Sequence, residues 1–418
     1  MRVLYTIGIW FYTLGVRVAA LFGHEKARQM VDGWKRVPNE LAKLSHERFT
    51  AWFHAASLGE FEQARPVLEE YRRRHPDHQI LVTFFSPSGY EIRKNYDKAD
   101  AICYLPMDTP RNVRRFILEA DPDTVFFVKY EFWYNYLKAL KDWGAKTYIF
   151  STIFRPDQYF FKWYGGWFRK QLKTCFNHLF VQNEESLQLL RSHGVERCSL
   201  AGDTRFDRVH QIAQGAERNT AVEQWLEASR QGRHAEDDKV IVAGSTWPPD
   251  EELLAQFAKA APRRVRLILA PHVIGEDHLQ AIERLFPDSV RYSSLDNPDS
   301  ATPPVLIIDN IGMLSQLYRY ADMAYIGGGF GVGIHNILEA VTFGKPVLFG
   351  PNYRKFKEAR DIIALGGGWS VASADELMER LAPMVADRSM IAEPSKQCLA
   401  YMEQNLGSTE TILSTIEK

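Results

Sequence analysis

Cysteine is scarce: Cys103, Cys175, Cys198 and Cys398 are all that the 418 residues contain, and no two stand close together. This excludes the disulfide framework of a small secreted domain and paired thiols at zinc or redox spacing, and it favours a reducing, cytoplasmic setting. An excess of either charge is also missing. With a formal net charge of -1 there is no chain-wide basic field for a nucleic-acid backbone, so no nucleic-acid partner is expected and any anion contact must be local. The twelve histidines show no HExxH or related spacing, and no metal is expected. No internal repeat is visible. The length exceeds what one typical core organises, so two domains are expected.

Charge is absent locally as well, from Val3 to Val16, a stretch that carries Leu4, Ile7, Ile9, Trp10, Phe11 and Leu14. A membrane span needs ~20 predominantly apolar residues, and this run reaches that length by tolerating Arg17, whose long side chain can snorkel to a headgroup. Lys26, Arg28, Lys35 and Arg36 follow, which keeps the body of the protein on the cytoplasmic side. Arg2 alone makes a poor basic n-region and no small-x-small site follows, unlike a cleaved signal peptide. Spanning the bilayer and lying in its interface both remain open, and a buried first helix is the competing reading.

From about Phe49 to Ser370, short apolar runs rich in β-branched and aromatic residues alternate with longer amphipathic stretches. That is the pattern of strands and crossover helices in a parallel sheet. Strands are predicted at Phe49–His54, Gln79–Phe84, Ala101–Leu105, Thr124–Lys129, Lys146–Ser151 and Leu179–Gln182, then at Lys239–Ala243, Val265–Ala270, Val305–Ile308, Met323–Ile326 and Val347–Phe349. The polar stretch 209–238, with Gln231-Gly232-Arg233 near its end, reads as the connection between two sheets. The expected organisation is a membrane-associated segment over 1–22, Rossmann-like domains over 23–208 and 239–393, and a helical segment over 394–418.

The distinctive polar motifs follow predicted strands: HAASLGE, FSPSGYE and KYEFW in the first half, GSTW, APHVIGED, IGGGFGVGIHN and FGPN in the second. Ligands of open α/β sheets bind at the carboxyl ends of strands, so two facing sets of ligand loops across an interdomain cleft are expected. Five glycines in Gly327–Gly333, followed by a helix start, suit a nucleotide phosphate, with Glu339 about one turn into the helix to take ribose hydroxyls. A tight turn with a solvent-facing glutamate is the plainer alternative. Glu60 in Ser57-Leu58-Gly59-Glu60 is either a catalytic carboxylate or the N3 residue of a capping box. Glu131, set among aromatics, is either a functional acid or a buried, paired carboxylate. Phe154–Phe176 holds nine aromatics and five cations against Asp157 alone. This suits a lipid interface or single-stranded nucleic acid, or else an amphipathic helix with buried rings and solvated lysines. His54, His272 and His335 read as hydrogen-bonded structural residues.

In order, these motifs resemble those of the 3-deoxy-D-manno-octulosonic acid (Kdo) transferases of Gram-negative lipopolysaccharide assembly, over nearly the whole chain. HAASLGE is similar to that family's H-S-V-S-x-G-E, TFFSPSGYE to T-x-x-T-P-x-G-x-E, YLPMD to Y-L-P-x-D and KYEFWYN to E-T-E-L-W-P-N. QNEES, AGDTRFD, GSTW and IHNILEAVTFGKPVLFGPNYRKFKE resemble its later blocks. The resemblance implies a GT-B fold, two Rossmann-like domains whose parallel sheets face a cleft, with the acceptor in the first and the donor CMP-Kdo in the second. It implies metal-independent, inverting Kdo transfer to the glucosamine disaccharide of lipid A precursor at the cytoplasmic face of the inner membrane, without a cofactor. Glu60 would be the proton acceptor, and Glu131 and Arg205 would stabilise the transition state. CMP would meet Pro271, His272, Gly312, Met313, Leu314, Asn336, Ile337, Leu338 and Glu339. Arg205 stands where a lysine is usual, His272 where an arginine is, Met313 where a glutamate is, and Trp247-Pro248-Pro249 replaces His-x-Gly, so the departures fall mostly on nucleotide contacts. Another GT-B transferase, a nucleotide-sugar epimerase on the same architecture, and a membrane scaffold with a decayed CMP-sugar site are the competing readings.

Overall fold

The strands predicted from hydrophobic patterning form two all-parallel, seven-stranded sheets in the computed structural model, which describes residues 1–229, 238–261, 264–295 and 303–418. The chain divides into a first unit of Met1–Arg208 with Leu406–Lys418 and a second of Val209–Asn405. In the first, β1 (Thr50–Ala55), β2 (Gln79–Phe84), β3 (Ala101–Tyr104), β4 (Thr124–Val128), β5 (Lys146–Thr152), β6 (His178–Val181) and β7 (Cys198–Leu200) lie in the order 3-2-1-4-5-6-7. The second holds β8 (Lys239–Thr246), β9 (Val265–Pro271), β10 (Ser289–Arg291), β11 (Val305–Ile307), β12 (Met323–Ile326), β13 (Val347–Phe349) and β14 (Gly368–Ser370), in the order 10-11-9-8-12-13-14. The first order reverses between β1 and β4, and the second, apart from an exchange of β10 and β11 at its edge, reverses between β8 and β12; such a switch point is where open α/β sheets receive ligands.

Apolar residues on both faces make the central strands what they are. All six residues of β1 are buried, with Trp52 and Phe127 in the cluster on one face of the sheet and Phe53 and Phe126 in the cluster on the other. Three strands were not predicted, namely β7, β10 and β14. Each has three residues and lies at a sheet edge, too short to set a periodicity and only half covered. Two predicted strands run on past their expected ends, β8 to Thr246 and β5 to Thr152. Each passes a register shift and a serine with positive φ, Ser245 and Ser151, both at 54°.

The stretch expected as a connection contains helices at Thr204–Gln214 and Thr220–Ser229; Gln231-Gly232-Arg233 lies outside the described residues. At the chain end, the helix Ser408–Ile416 places Ile412 and Leu413 in the core of the first unit. Asp207 fastens it there by accepting the Gly407 and Thr409 N–H groups at 2.8 and 2.6 Å.

Helix α1 (Arg2–Leu21) contains no buried residue, which sets aside the buried-helix reading of the N-terminal run. It leads into α2 (Glu25–Leu41), whose N-cap His24 accepts the Ala27 N–H. The first turns of α1 are held by Asp108, a buried carboxylate in the loop after β3. Its Oδ2 accepts the Tyr5 hydroxyl at 2.7 Å and the Asn135 N–H at 3.1 Å, and its Oδ1 accepts the Tyr136 N–H at 2.9 Å. Burial raises the carboxyl to about 6 in spite of these donors.

Asp108→Asn leaves one acceptor oxygen for three donors and turns an amide N–H toward one of them. The variant should lose roughly 1–3 kcal/mol of stability in urea unfolding. A carboxyl raised in the folded state contributes stability that is complete below its unfolded pKa of roughly 3.9 and is lost as pH rises through about 6. The gap between wild type and variant should therefore narrow from pH 4 to pH 7.

Candidate active site

His54, next to the last residue of β1, is in register with Thr83 on β2 and Phe127 on β4, so its imidazole stands at the switch point. Its Nδ1 lies 2.8 Å from Thr83 Oγ1 and 3.2 Å from the Thr83 carbonyl. The indole of Trp52, which can only donate, reaches the same Thr83 Oγ1 at 2.7 Å. The other ring nitrogen, Nε2, lies 3.2 Å from Glu131 Oε2, and the Trp133 indole donates to that oxygen at 2.6 Å. The same indole N–H also points at His54 Nε2, at 3.2 Å, so it is shared between the ring and the carboxylate. Hydrogen-bonding contacts thus link Trp52, Thr83, His54 and Glu131 from the core to the edge of the sheet. Glu131 is a paired carboxylate at the carboxyl edge of the sheet.

Glu60 enters from α3 (Leu58–Arg74), which starts at the carboxyl end of β1. The capping box is not formed: the Ser57 side chain makes no cap bond, and Glu60 Oε2 accepts instead from the Ala56 N–H, at 2.6 Å. Burial, and next the Glu131 carboxylate, raise the Glu60 pKa above the usual range, while the Ala56 N–H, His54 and Lys129 pull it back. Lys129 follows β4 with φ of 59°, a left-handed conformation that is uncommon for a lysine. Arg205 is held by Asp203, which receives its Nε at 2.8 Å and its backbone N–H at 3.0 Å. Asp203 in turn accepts Gln63 Nε2, one turn beyond Glu60 on α3, at 3.1 Å. Glu60, Glu131 and the start of the Thr204–Gln214 helix, with Arg205, therefore gather around the β1–β4 end of one sheet, a carboxylate pair with cations at its border.

In the second unit, the corresponding end of the sheet carries the nucleotide candidates. Pro271 closes β9, and the exposed His272 stacks between Trp247 and His335 at ring distances of 4.7 and 4.5 Å. Trp247 Nε1 donates to His335 Nε2 at 3.0 Å, and burial, then His272, hold the His335 pKa below the usual histidine range. These rings, the Trp247–Asp250 turn and the glycine loop line a cavity of about 490 Å³. Glu339 accepts Ser315 Oγ at 2.8 Å and Asn336 Nδ2 at 3.2 Å, which joins Gly312-Met313-Leu314 to Asn336–Glu339. Ile337 and Leu338 are buried, so only their backbones can face a ligand.

The helix after the glycine loop starts later than expected. It runs over Leu338–Val341, with Glu339 in its first turn, because the His335 N–H bonds the Gly327 carbonyl and the Leu338 N–H bonds Asn336 Oδ1. The glycines also serve packing. A Cβ on Gly327 would lie 2.3 Å from the Ser245 carbonyl oxygen, and one on Gly329 would lie 2.5 Å from the Gly350 nitrogen.

Most rings of Phe154–Phe176 are buried or half-buried, the outcome of the amphipathic reading, but Trp163 is 94% exposed and Tyr164 51%. Sequence reasoning treated His54 as structural and did not single out Lys129 or Asp203. None of the three has a signal in the sequence that could have found it, since β1 is buried throughout and its register with β2 is a tertiary property. No group of three or more metal-ligating side chains occurs among the described residues.

Two Rossmann-like units with polar groups at both switch points define the class, an enzyme of the GT-B glycosyltransferase type. UDP-GlcNAc 2-epimerase from Neisseria meningitidis bound to UDP-GlcNAc shares the fold with a TM-score of 0.58 at 16% identity, over 88% of this chain and 99% of that one. The 3-deoxy-D-manno-octulosonic acid transferase of Aquifex aeolicus is 26% identical over 352 residues, 82% of this chain and 88% of that protein, and that of Rickettsia bellii is 25% identical over 98% and 96%. The model of the 3-deoxy-D-manno-octulosonic-acid transferase (kdotransferase) family matches residues 27–208. The match covers most of the first unit and less than half of the chain, and together with these relatives it makes the chain a glycosyltransferase.

If the two carboxylates share a field as their positions require, Glu131→Gln should lower the Glu60 pKa toward the usual glutamate range without restoring it fully, since burial remains. Carbon-13 NMR titration of labelled glutamates reads this directly. An unchanged Glu60 titration would show that the pair is uncoupled.

Proposed function

We propose that the protein transfers Kdo from CMP-Kdo to the glucosamine disaccharide of lipid A precursor, with inversion and without a metal, at the cytoplasmic face of the inner membrane. The observation that carries this reading is a half-buried glutamate of raised proton affinity, Glu60, beside an anchored second carboxylate at the switch point of a sheet. A sugar hydroxyl is a weak nucleophile. Glu60 takes its proton as the oxygen attacks the anomeric carbon, and the bond to the CMP phosphate breaks with its electrons leaving on the phosphate. Glu131, held by His54 and Trp133, keeps a negative charge near the positive character that develops at the sugar, and Arg205 offsets negative charge beside it. In the second unit, the carboxylate of Glu339, oriented by Ser315 and Asn336, suits two ribose hydroxyls, and the loops at Pro271-His272 and Gly312-Met313-Leu314 border it. The apolar, unburied α1 supports a membrane site of action.

Glu60→Gln keeps an oxygen for the Ala56 N–H, so the variant should fold and melt like the wild type and bind CMP normally. Its Kdo transfer, followed by product mass spectrometry with CMP-Kdo and a tetraacylated lipid A precursor, should fall on the order of 10²–10⁴-fold; wild-type turnover would exclude Glu60 as the base. Glu339→Ala should weaken CMP binding in calorimetry, and unchanged affinity would move the nucleotide elsewhere. CMP binding without any transfer by the wild type would point to the scaffold.

A further inference from the structure

The residues of α1 divide by what they touch. Arg2 Nε donates to Asn135 Oδ1 at 2.9 Å, Tyr5 donates to Asp108, and Asn135 Nδ2 donates to Thr6 Oγ1 at 3.1 Å. Further along, Tyr12 stacks on Phe85 with ring centroids 6.3 Å apart, and Val16 packs against the core that contains Phe84 and Tyr90. The half-buried positions Tyr5, Thr6, Ile9, Thr13, Val16 and Ala20 recur at helical spacing, so one face of the helix is seated on the first unit along most of its length. The opposite face, with Val3, Ile7, Trp10, Leu14, Leu21 and the following Phe22, is exposed.

By length and composition α1 is able to cross a membrane. A crossing helix, however, carries its soluble body at one end, and this helix is fastened to the body near its start, its middle and its last turns. To span, it would have to break the Asp108 and Asn135 bonds or draw charged loops into hydrocarbon, where unsatisfied polar groups are costly.

We infer that α1 lies flat in the surface of an anionic bilayer, apolar face down, and holds the Glu60–Glu131 end of the first sheet beside the lipid. The contacts trace that proximity. Tyr12 stacks on Phe85, Phe85 packs on Trp133 at 5.0 Å, and Trp133 donates to Glu131. A second exposed patch is joined to α1 through Tyr134, which touches Tyr5, Trp167 and Phe168. It presents Trp163 and Tyr164 near Lys162 and Lys170, and aromatic rings with cations suit the headgroup region of an anionic leaflet. An acceptor with acyl chains can then offer its sugar to Glu60 while its chains stay in the bilayer. This rests on the membrane reading proposed above and adds the orientation.

The test uses the full chain with single cysteines at Leu4, Phe11 and Val18, all exposed and each seven residues from the next. The four native cysteines are buried, so an NBD maleimide labels the new ones selectively. In vesicles of phosphatidylcholine with phosphatidylglycerol, spin-labelled lipids report depth by quenching. A flat helix gives all three labels one depth, about 5–10 Å below the surface. A step of about 10 Å between successive labels, the rise of seven helical residues, would overturn the flat orientation and leave the membrane reading standing. Absence of quenching at every position, with no flotation of protein with vesicles, would overturn both.

Discussion

A fully buried imidazole needs partners at both nitrogens, and His54 finds them in Thr83 behind it and Glu131 in front. Much of the first unit follows from that contact. It requires β1 and β2 to pair in the register that sets His54 opposite Thr83. It also requires the loop after β4 to turn Glu131 back over the sheet edge, which Lys129 does by adopting a left-handed conformation. The carboxylate so placed raises the proton affinity of Glu60 on the neighbouring α3. Core packing and the chemistry of the edge are thus linked through a short path of hydrogen bonds, in surroundings where each bond is strong because water is excluded.

The second unit meets the same constraint with a different residue. Buried Asp250 accepts the Tyr325 hydroxyl, the Gly328 N–H and the Trp247 N–H at 2.8, 2.9 and 3.0 Å, and so holds the glycine loop against the start of the helix Pro248–Ala260 that follows β8. In both units a strand passes a serine of positive φ near its carboxyl end. Strain of this kind persists where the surroundings over-determine it, and ligand-binding edges are frequent sites. The ring stack of Trp247, His272 and His335 occupies ground where the family resemblance leads one to expect arginine. It puts stacked, polarisable ring faces in place of a permanent cation.

In the orientation proposed above, helix α1 joins catalysis to location in the first unit. Its polar residues satisfy buried groups of the α/β body and its apolar residues are left outside, the reverse of a soluble surface helix. The exposed face gives association with lipid a driving force proportional to the apolar area removed from water. The polar face keeps the carboxylate edge close to that interface.

Patterning along the chain was enough to determine the class of fold, the central strands and the loops that hold the functional groups. Long buried strands of a parallel sheet are apolar on both faces, and the polar motifs that follow them have nowhere to lie except the carboxyl edge. The motifs HAASLGE and KYEFWYN named Glu60 and Glu131 for the same reason. What the tertiary structure alone decided were matters of register and approach. These include the edge strands β7, β10 and β14, too short to show a period, the late start of the Leu338–Val341 helix, whose expected N–H groups are bonded elsewhere, and the use of Gly327 and Gly329 for backbone packing. The capping box at Glu60 was set aside by a bond from the Ala56 N–H instead of that of Ser57. The lie of α1 turned on Asp108 and Asn135, more than 100 positions away. Hydrophobic periodicity is a local property of the chain, whereas these outcomes depend on which distant donor reaches which acceptor, and that is settled only when the sheets close.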